Sequence, residues 1–160
     1  MQATSYTQCS QELQRLVAAA LFTEWTTDFS LQGVTNAEQC RDLFLKNYAD
    51  WKSTRAVLFV LTDARVPGVP FVGTLSLEYT LTSAYSPCIA NVYVYPSLRG
   101  YGFGKLLMSF AEKYLKKSKM TAAYLWCDPG LVGFYEKRGY KVVDSPTGSF
   151  KEVRFMGKSL

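Results

Sequence analysis

Histidine is absent from all 160 residues, so no step can run through an imidazole proton relay. Cysteine is sparse. Cys9, Cys40, Cys88 and Cys127 lie far apart and form no C-x-x-C pair, which excludes a dithiol redox motif and a cysteine-based metal site. They read as reduced thiols in a cytoplasmic protein, with no metal expected. Long apolar runs are missing too: Leu16 to Phe22 is too short to span a bilayer, and the start MQATSYTQ lacks a charged leader region. Neither export nor membrane contact is expected.

Acidic residues are scarce in one stretch only. Residues 99–119 carry six Lys or Arg against Glu112 alone, whereas residues 1–98 carry six against eight Asp or Glu. The positive end of the +5 chain is therefore local. A basic cluster beside a glycine-rich turn suits a phosphate-bearing ligand. The lysines from Lys113 onward are equally well read as a solvated helix face, with cations near the end where the helix dipole favours them. No aromatic and basic interleaving supports a nucleic-acid partner.

What is present is a globular balance, 48% hydrophobic against 19% charged, in a length that suits one domain over residues 1–160. Ser10 is positioned to cap a helix whose stripe is Leu13, Leu16, Val17, Ala20 and Leu21, running to about Trp25. Thr26 to Thr35 reads as a loop. Asn36, with Gln39 three residues on, opens a second helix carrying Cys40, Leu43, Phe44, Tyr48 and Trp51. Strands are expected over Ala56–Leu61, Phe71–Tyr79 and Ile89–Tyr95, the first two forming a hairpin; on the second, Thr74, Ser76 and Glu78 share a polar face.

A helix over Gly104–Lys117 follows, then a strand over Ala122–Cys127 and a short helix over Leu131–Lys137 closed by Gly139. Strands over Tyr140–Val143 and Val153–Met156 complete the order. This is an α/β (α+β) domain around one central sheet.

Strand, Pro96, then R-G-Y-G-F-G-K opening a helix presents backbone N–H groups where anions bind. Glycines 100, 102 and 104 let a pyrophosphate approach the backbone and permit positive φ. Two nucleotide motifs fail. A Walker A loop would need glycine at 99 and Ser or Thr after the lysine, where Arg99 and Leu106 stand; the G-x-G-x-x-G spacing misses by one residue.

The turn resembles motif A of the GNAT N-acetyltransferase superfamily, met here by Arg99, Gly102 and Gly104 after V-Y-V-x-P. F-Y-E-K-R-G-Y at 134–140, behind Trp126, Cys127 and Asp128, is similar to its motif B. The resemblance spans about Phe71 to Tyr140. It implies a single domain with a mixed, mostly antiparallel central sheet flanked by helices, and acetyl-CoA as cofactor. Arg99, Gly100, Tyr101, Gly102, Phe103, Gly104 and Lys105 would hold the pyrophosphate. The backbone of Val92, Tyr93 and Val94 would pair with the pantetheine arm, one of its amides meeting the oxyanion, and Asp128 and Phe134 would contribute nearby. Asp128 stands where many relatives carry Asn.

Tyr135 matches the tyrosine that protonates the departing thiolate in many relatives. The base is not fixed by the family. At 100° per residue from Leu13, Glu24 falls near the middle of the apolar stripe, which predicts an inward, desolvated carboxylate with a raised pKa; Glu78 is the second candidate. The run W-C-D-x-x-L-V-x-F-Y is also similar to arylalkylamine N-acetyltransferases, whose histidine relay this chain cannot reproduce.

Glu24, Asp28 and Glu78 beside Trp25 suit a cationic acceptor, so direct attack by a small primary amine in a ternary complex is expected, polyamines first. A protein lysine or N-terminal amine is the alternative, admitted or blocked by Pro67–Pro70 or by the loop from Ser83 to Pro87. Outside enzymes, the alternative is a silent acyl-CoA-binding module. Monomer and homodimer both remain open.

Overall fold

The computed structural model describes residues 1–49, 54–80, 84–146 and 152–160. Seven strands lie in one sheet: β1 (Gln2–Ser5), β2 (Ala56–Thr62), β3 (Gly73–Glu78), β4 (Cys88–Val94), β5 (Ala122–Cys127), β6 (Lys141–Asp144) and β7 (Arg154–Ser159). Their order is β1-β2-β3-β4-β5-β7-β6. The sheet is mixed, with β4 and β5 parallel and the β1–β2, β5–β7 and β6–β7 pairs antiparallel. The helices are α1 (Gln11–Glu24), α2 (Thr26–Leu31), α3 (Ala37–Asn47), α4 (Phe103–Lys117) and α5 (Val132–Glu136). The expected α/β class and mixed sheet are borne out. None of the described helices is long and apolar enough to cross a membrane.

Contacts divide the chain into two compact units, Met1–Ser76 with Asn91–Leu107, and Leu77–Ala90 with Met108–Leu160. In the first, Ser10 caps α1 by accepting from the Leu13 amide at 3.2 Å, and Asn36 caps α3 by accepting from the Gln39 amide at 2.9 Å. The Gln39 side chain accepts from the Thr35 amide at 2.8 Å, one residue before the cap, rather than from the Asn36 amide that a capping box would use. Val17, Ala18 and Leu21 of α1, Phe29 of α2 and Cys40 and Phe44 of α3 bury themselves with Leu58 and Val60 of β2. Fully burying each large apolar side chain contributes about 1.5–3 kcal/mol.

Several boundaries differ from expectation. The segment after Trp25 is a helix rather than a loop: Phe29 supplies a buried anchor, and the Val34 and Gly33 amides close α2 on the Phe29 and Ser30 carbonyls around left-handed Gly33 (φ 79). The α3 helix stops at Asn47, and Trp51 and Ser83 lie outside the described residues. The β1 strand carries almost no apolar signal; it forms as an edge, pairing Gln2 with Thr62 and Ser5 with Phe59. The polar face of β3 is not solvated, because Thr74 and Ser76 are fully buried.

In the second unit Met108, Ala111 and Leu115 form the buried stripe of α4, while Lys113, Lys116 and Lys117 face solvent. The β5 strand alternates, burying Ala123, Leu125 and Cys127 and leaving Trp126 exposed. The β7 strand inserts between β5 and β6, with Trp126 opposite Phe155 and Val142 opposite Met156.

Candidate active site

In the first unit β4 leads through Tyr95 into a 3-10 turn at Pro96–Leu98, then Arg99, and then the glycines. Gly100 and Gly102 adopt φ of 86° and 87°, a region that costs other residues about 1–2 kcal/mol. A Cβ added at either meets nothing within 4 Å, so the turn is an open cradle. Gly104 differs from expectation: it lies inside the first turn of α4 and is not among the positive-φ residues. The amides of Lys105 and Leu106 donate to the Gly102 carbonyl, which leaves those of Phe103 and Gly104 without an internal partner among the described residues. These N–H groups stand at the positive end of a 15-residue helix and could hold an anion. Tyr101 and Lys105 stand exposed beside it.

Arg99 does not reach outward. Its Nε donates to the Val94 carbonyl at 3.0 Å and its Nη2 to Glu24 Oε2 at 2.8 Å, with the guanidinium 5.3 Å from the Tyr93 ring centre. Tyr93 is buried edge-on to Trp25, with Phe71 beside it; burial pushes its phenol up, and the Arg99 charge opposes this.

The expectation of an inward Glu24 is corrected here. The buried face of α1 runs through Gln14, Val17, Ala18 and Leu21, rotated away from Leu13 and Leu16, and Glu24 is the exposed last residue of the helix. The Val94 carbonyl, expected to face pantetheine, is occupied by Arg99. Val92 is half-buried in the same strand.

Asn91, next to the Val92–Val94 strand, is a structural residue that periodicity missed. Its backbone is left-handed (φ 48), and its Nδ2 donates to Tyr48 Oη and to Ser76 Oγ, each at 2.9 Å. Thr74 Oγ1 donates to the Asn91 carbonyl at 2.9 Å. This network ties β4 to β3 and to Tyr48 immediately before Val92–Val94. An asparagine inside an apolar strand, a residue tolerant of that conformation, was the available signal.

In the second unit, β5 ends at Cys127 and the chain passes Asp128 into Pro129–Leu131 and α5. Tyr135 is 7% exposed, stands edge-on to Phe134, and makes no side-chain hydrogen bond among the described residues. Burial, reinforced by the Cys127 thiol, pushes its phenol up to about 12. Arg138 fixes this corner, its guanidinium 3.5 Å from the Phe134 ring centre and its Nη1 donating to the Phe134 carbonyl. Asp128 is half-buried and accepts the Leu131 amide through its carbonyl. Glu78 is half-buried at the end of β3; burial and its charge push the Cys88 thiol up to about 12.

The model of the acetyltransferase (GNAT) family matches residues 18–140. The chain belongs to that family. Within the GNAT proteins, the uncharacterized N-acetyltransferase ycf52-like of Prochlorococcus marinus is 36% identical over 52 residues, 32% of this chain and 29% of its own length. The match thus spans less than a third of that relative. An aminoglycoside 6'-N-acetyltransferase complexed with coenzyme A superposes with a TM-score of 0.72 at 16% identity, over 99% of this chain and 97% of its own. The PaiA N-acetyltransferase of Thermoplasma acidophilum, in complex with coenzyme A, superposes at 0.59 and 18% identity over the whole of both chains. At these identities the likeness is one of GNAT fold.

Proposed function

We propose that this protein transfers the acetyl group of acetyl-CoA to a small cationic primary amine, polyamines first, by direct attack in a ternary complex. The observation that carries the reading is the open turn at Gly100 and Gly102 feeding the amides of Phe103 and Gly104, which have no internal partner among the described residues. That cradle has the donors and the space a pyrophosphate needs. Family membership and two coenzyme A-bound neighbours support the same cofactor. Four free thiols suit a cytoplasmic setting.

Bound acetyl-CoA supplies an activated thioester carbonyl and a thiolate leaving group. The remaining roles fall to the chain. Gly100 to Lys105 hold the phosphates, and the Val92–Val94 backbone aligns the arm, with an amide of Val92 or Tyr93 directed at the developing oxyanion. Tyr135 keeps its proton throughout the neutral range and donates it from Oη to the departing sulfur as the nitrogen–carbon bond forms and the carbon–sulfur bond breaks. Half-burial of Glu78 supports it over exposed Glu24 as acceptor of the ammonium proton. Asp128 would order a proton-carrying water.

A coenzyme A release assay over putrescine, spermidine, aryl amines and lysine peptides tests the reading. Release stimulated most by the polyamines is expected. Stimulation by peptides alone would move the acceptor to protein amines, and no stimulation by any amine would reduce the chain to an acyl-CoA-binding module.

A further inference from the structure

We propose that Glu24 is a positioning residue for the cofactor turn, acting through Arg99. This rests on the acetyltransferase reading above. Arg99 leaves the Pro96–Leu98 turn in extended backbone (φ −67, ψ 144), immediately before left-handed Gly100. From there its side chain could reach toward a bound anion or fold back. It folds back: Nε takes the Val94 carbonyl, Nη2 takes Glu24, and the Tyr93 ring lies beneath the guanidinium.

A guanidinium can hold two acceptors with a fixed fork, which an ammonium cannot. The consequence is a short cross-link from the last residue of β4 to the residue that enters the glycine turn, with Glu24 fixing its angle.

The C-terminal end of α1 holds this assembly at two adjacent positions. Glu24 grips Arg99, and Trp25 packs edge-on to Tyr93 at 6.2 Å. Glu24 also neutralises Arg99, so attraction for phosphate at the turn comes from the Phe103 and Gly104 amides and from Lys105. The pair is partly exposed, 46% for Arg99 and 35% for Glu24, so its effect is modest in size.

Coenzyme A is titrated calorimetrically into the wild type, Glu24→Gln, Arg99→Gln and the double variant, with thermal melts to confirm folding. Each single change should weaken binding about three- to fivefold. The double variant should bind no more weakly than Arg99→Gln, because Glu24 acts only through Arg99. Arg99→Lys should fall between wild type and Arg99→Gln. In turnover, Glu24→Gln should raise KM for acetyl-CoA by the same factor and keep kcat.

Tighter binding by Glu24→Gln would overturn the proposal, since it would mean that Arg99, once freed, contacts the phosphates itself. Unchanged affinity, additive effects, or a loss of kcat with KM unchanged would overturn it too. A wild type that does not bind coenzyme A would overturn the acetyltransferase reading, whereas binding shared by all variants would overturn this inference alone.

Discussion

Tyr135 and Asn91 each hold a chemical property that their surroundings create. Burial pushes the Tyr135 phenol up to about 12, and among the described residues no hydrogen bond claims its hydroxyl. Tyr135→Phe should therefore lower kcat by about 10²-fold while leaving coenzyme A affinity unchanged, as stopped-time product assays and calorimetry would record. Because the folded value is raised, turnover should not decline through pH 10, where an ordinary tyrosine loses its proton. An equal rate in the phenylalanine variant would remove the residue from the mechanism.

Asn91 can be dissected by two substitutions. Asn91→Gly keeps access to positive φ and removes the amide bonds to Tyr48 and Ser76; Asn91→Ala removes both. Denaturant melts should show the alanine variant less stable than the glycine variant by about 1 kcal/mol, the cost of left-handed backbone. Equal stabilities would mean that β4 relaxes out of that conformation.

At the scale of elements, caps and periodicity located most of the fold. Ser10, Asn36 and the 3-to-4 spacing of α4 are local signals whose energetics are local, so they survive in the folded chain. What escaped depends on distant partners. The β1 strand is held by β2 some sixty residues on, and α2 is held by the burial of Phe29. Glu24 was misplaced because the buried face of α1 follows Gln14, whose amide donates to the Tyr6 and Cys9 carbonyls, a contact no apolar scale anticipates.

Close approach explains one glycine that no turn requires. A Cβ on Gly73 would stand 2.3 Å from the Tyr93 carbonyl oxygen and 3.0 Å from Leu107 Cδ1. The backbone cannot yield cheaply there. Gly73→Ala should cost about 3 kcal/mol in chemical denaturation, against no measurable change for Gly130→Ala, whose Cβ meets nothing. A stable Gly73→Ala protein would show that β3 and β4 can separate without penalty.

Across the whole molecule, burial of ionisable side chains should set an alkaline limit to stability. Tyr6, Tyr140, Tyr135, Cys40 and Cys88 all have raised values, chiefly from burial, the last three reaching about 12. Each favours its neutral form when folded. Their contribution is complete below the unfolded values of about 9 for the thiols and 10 for the phenols, and is lost as pH rises toward the folded ones. The melting temperature should stay level through neutral pH and fall steeply above about pH 9. A level melt into strong alkali would show that these groups are hydrated.

The open glycine turn was legible from R-G-Y-G-F-G-K because positive φ at Gly100 and Gly102 is a backbone property, readable from glycine spacing. The proposed acceptor has less behind it, since Glu24 is paired with Arg99. The central claim, that this turn grips acetyl-CoA, is tested most directly by calorimetric titration of coenzyme A into wild type and Gly102→Val. The substitution places a branched side chain at φ 87, in the open cradle. Saturable binding by the wild type, weakened at least about tenfold in a still-folded Gly102→Val protein, is the predicted result. Equal affinity in the two proteins would contradict it.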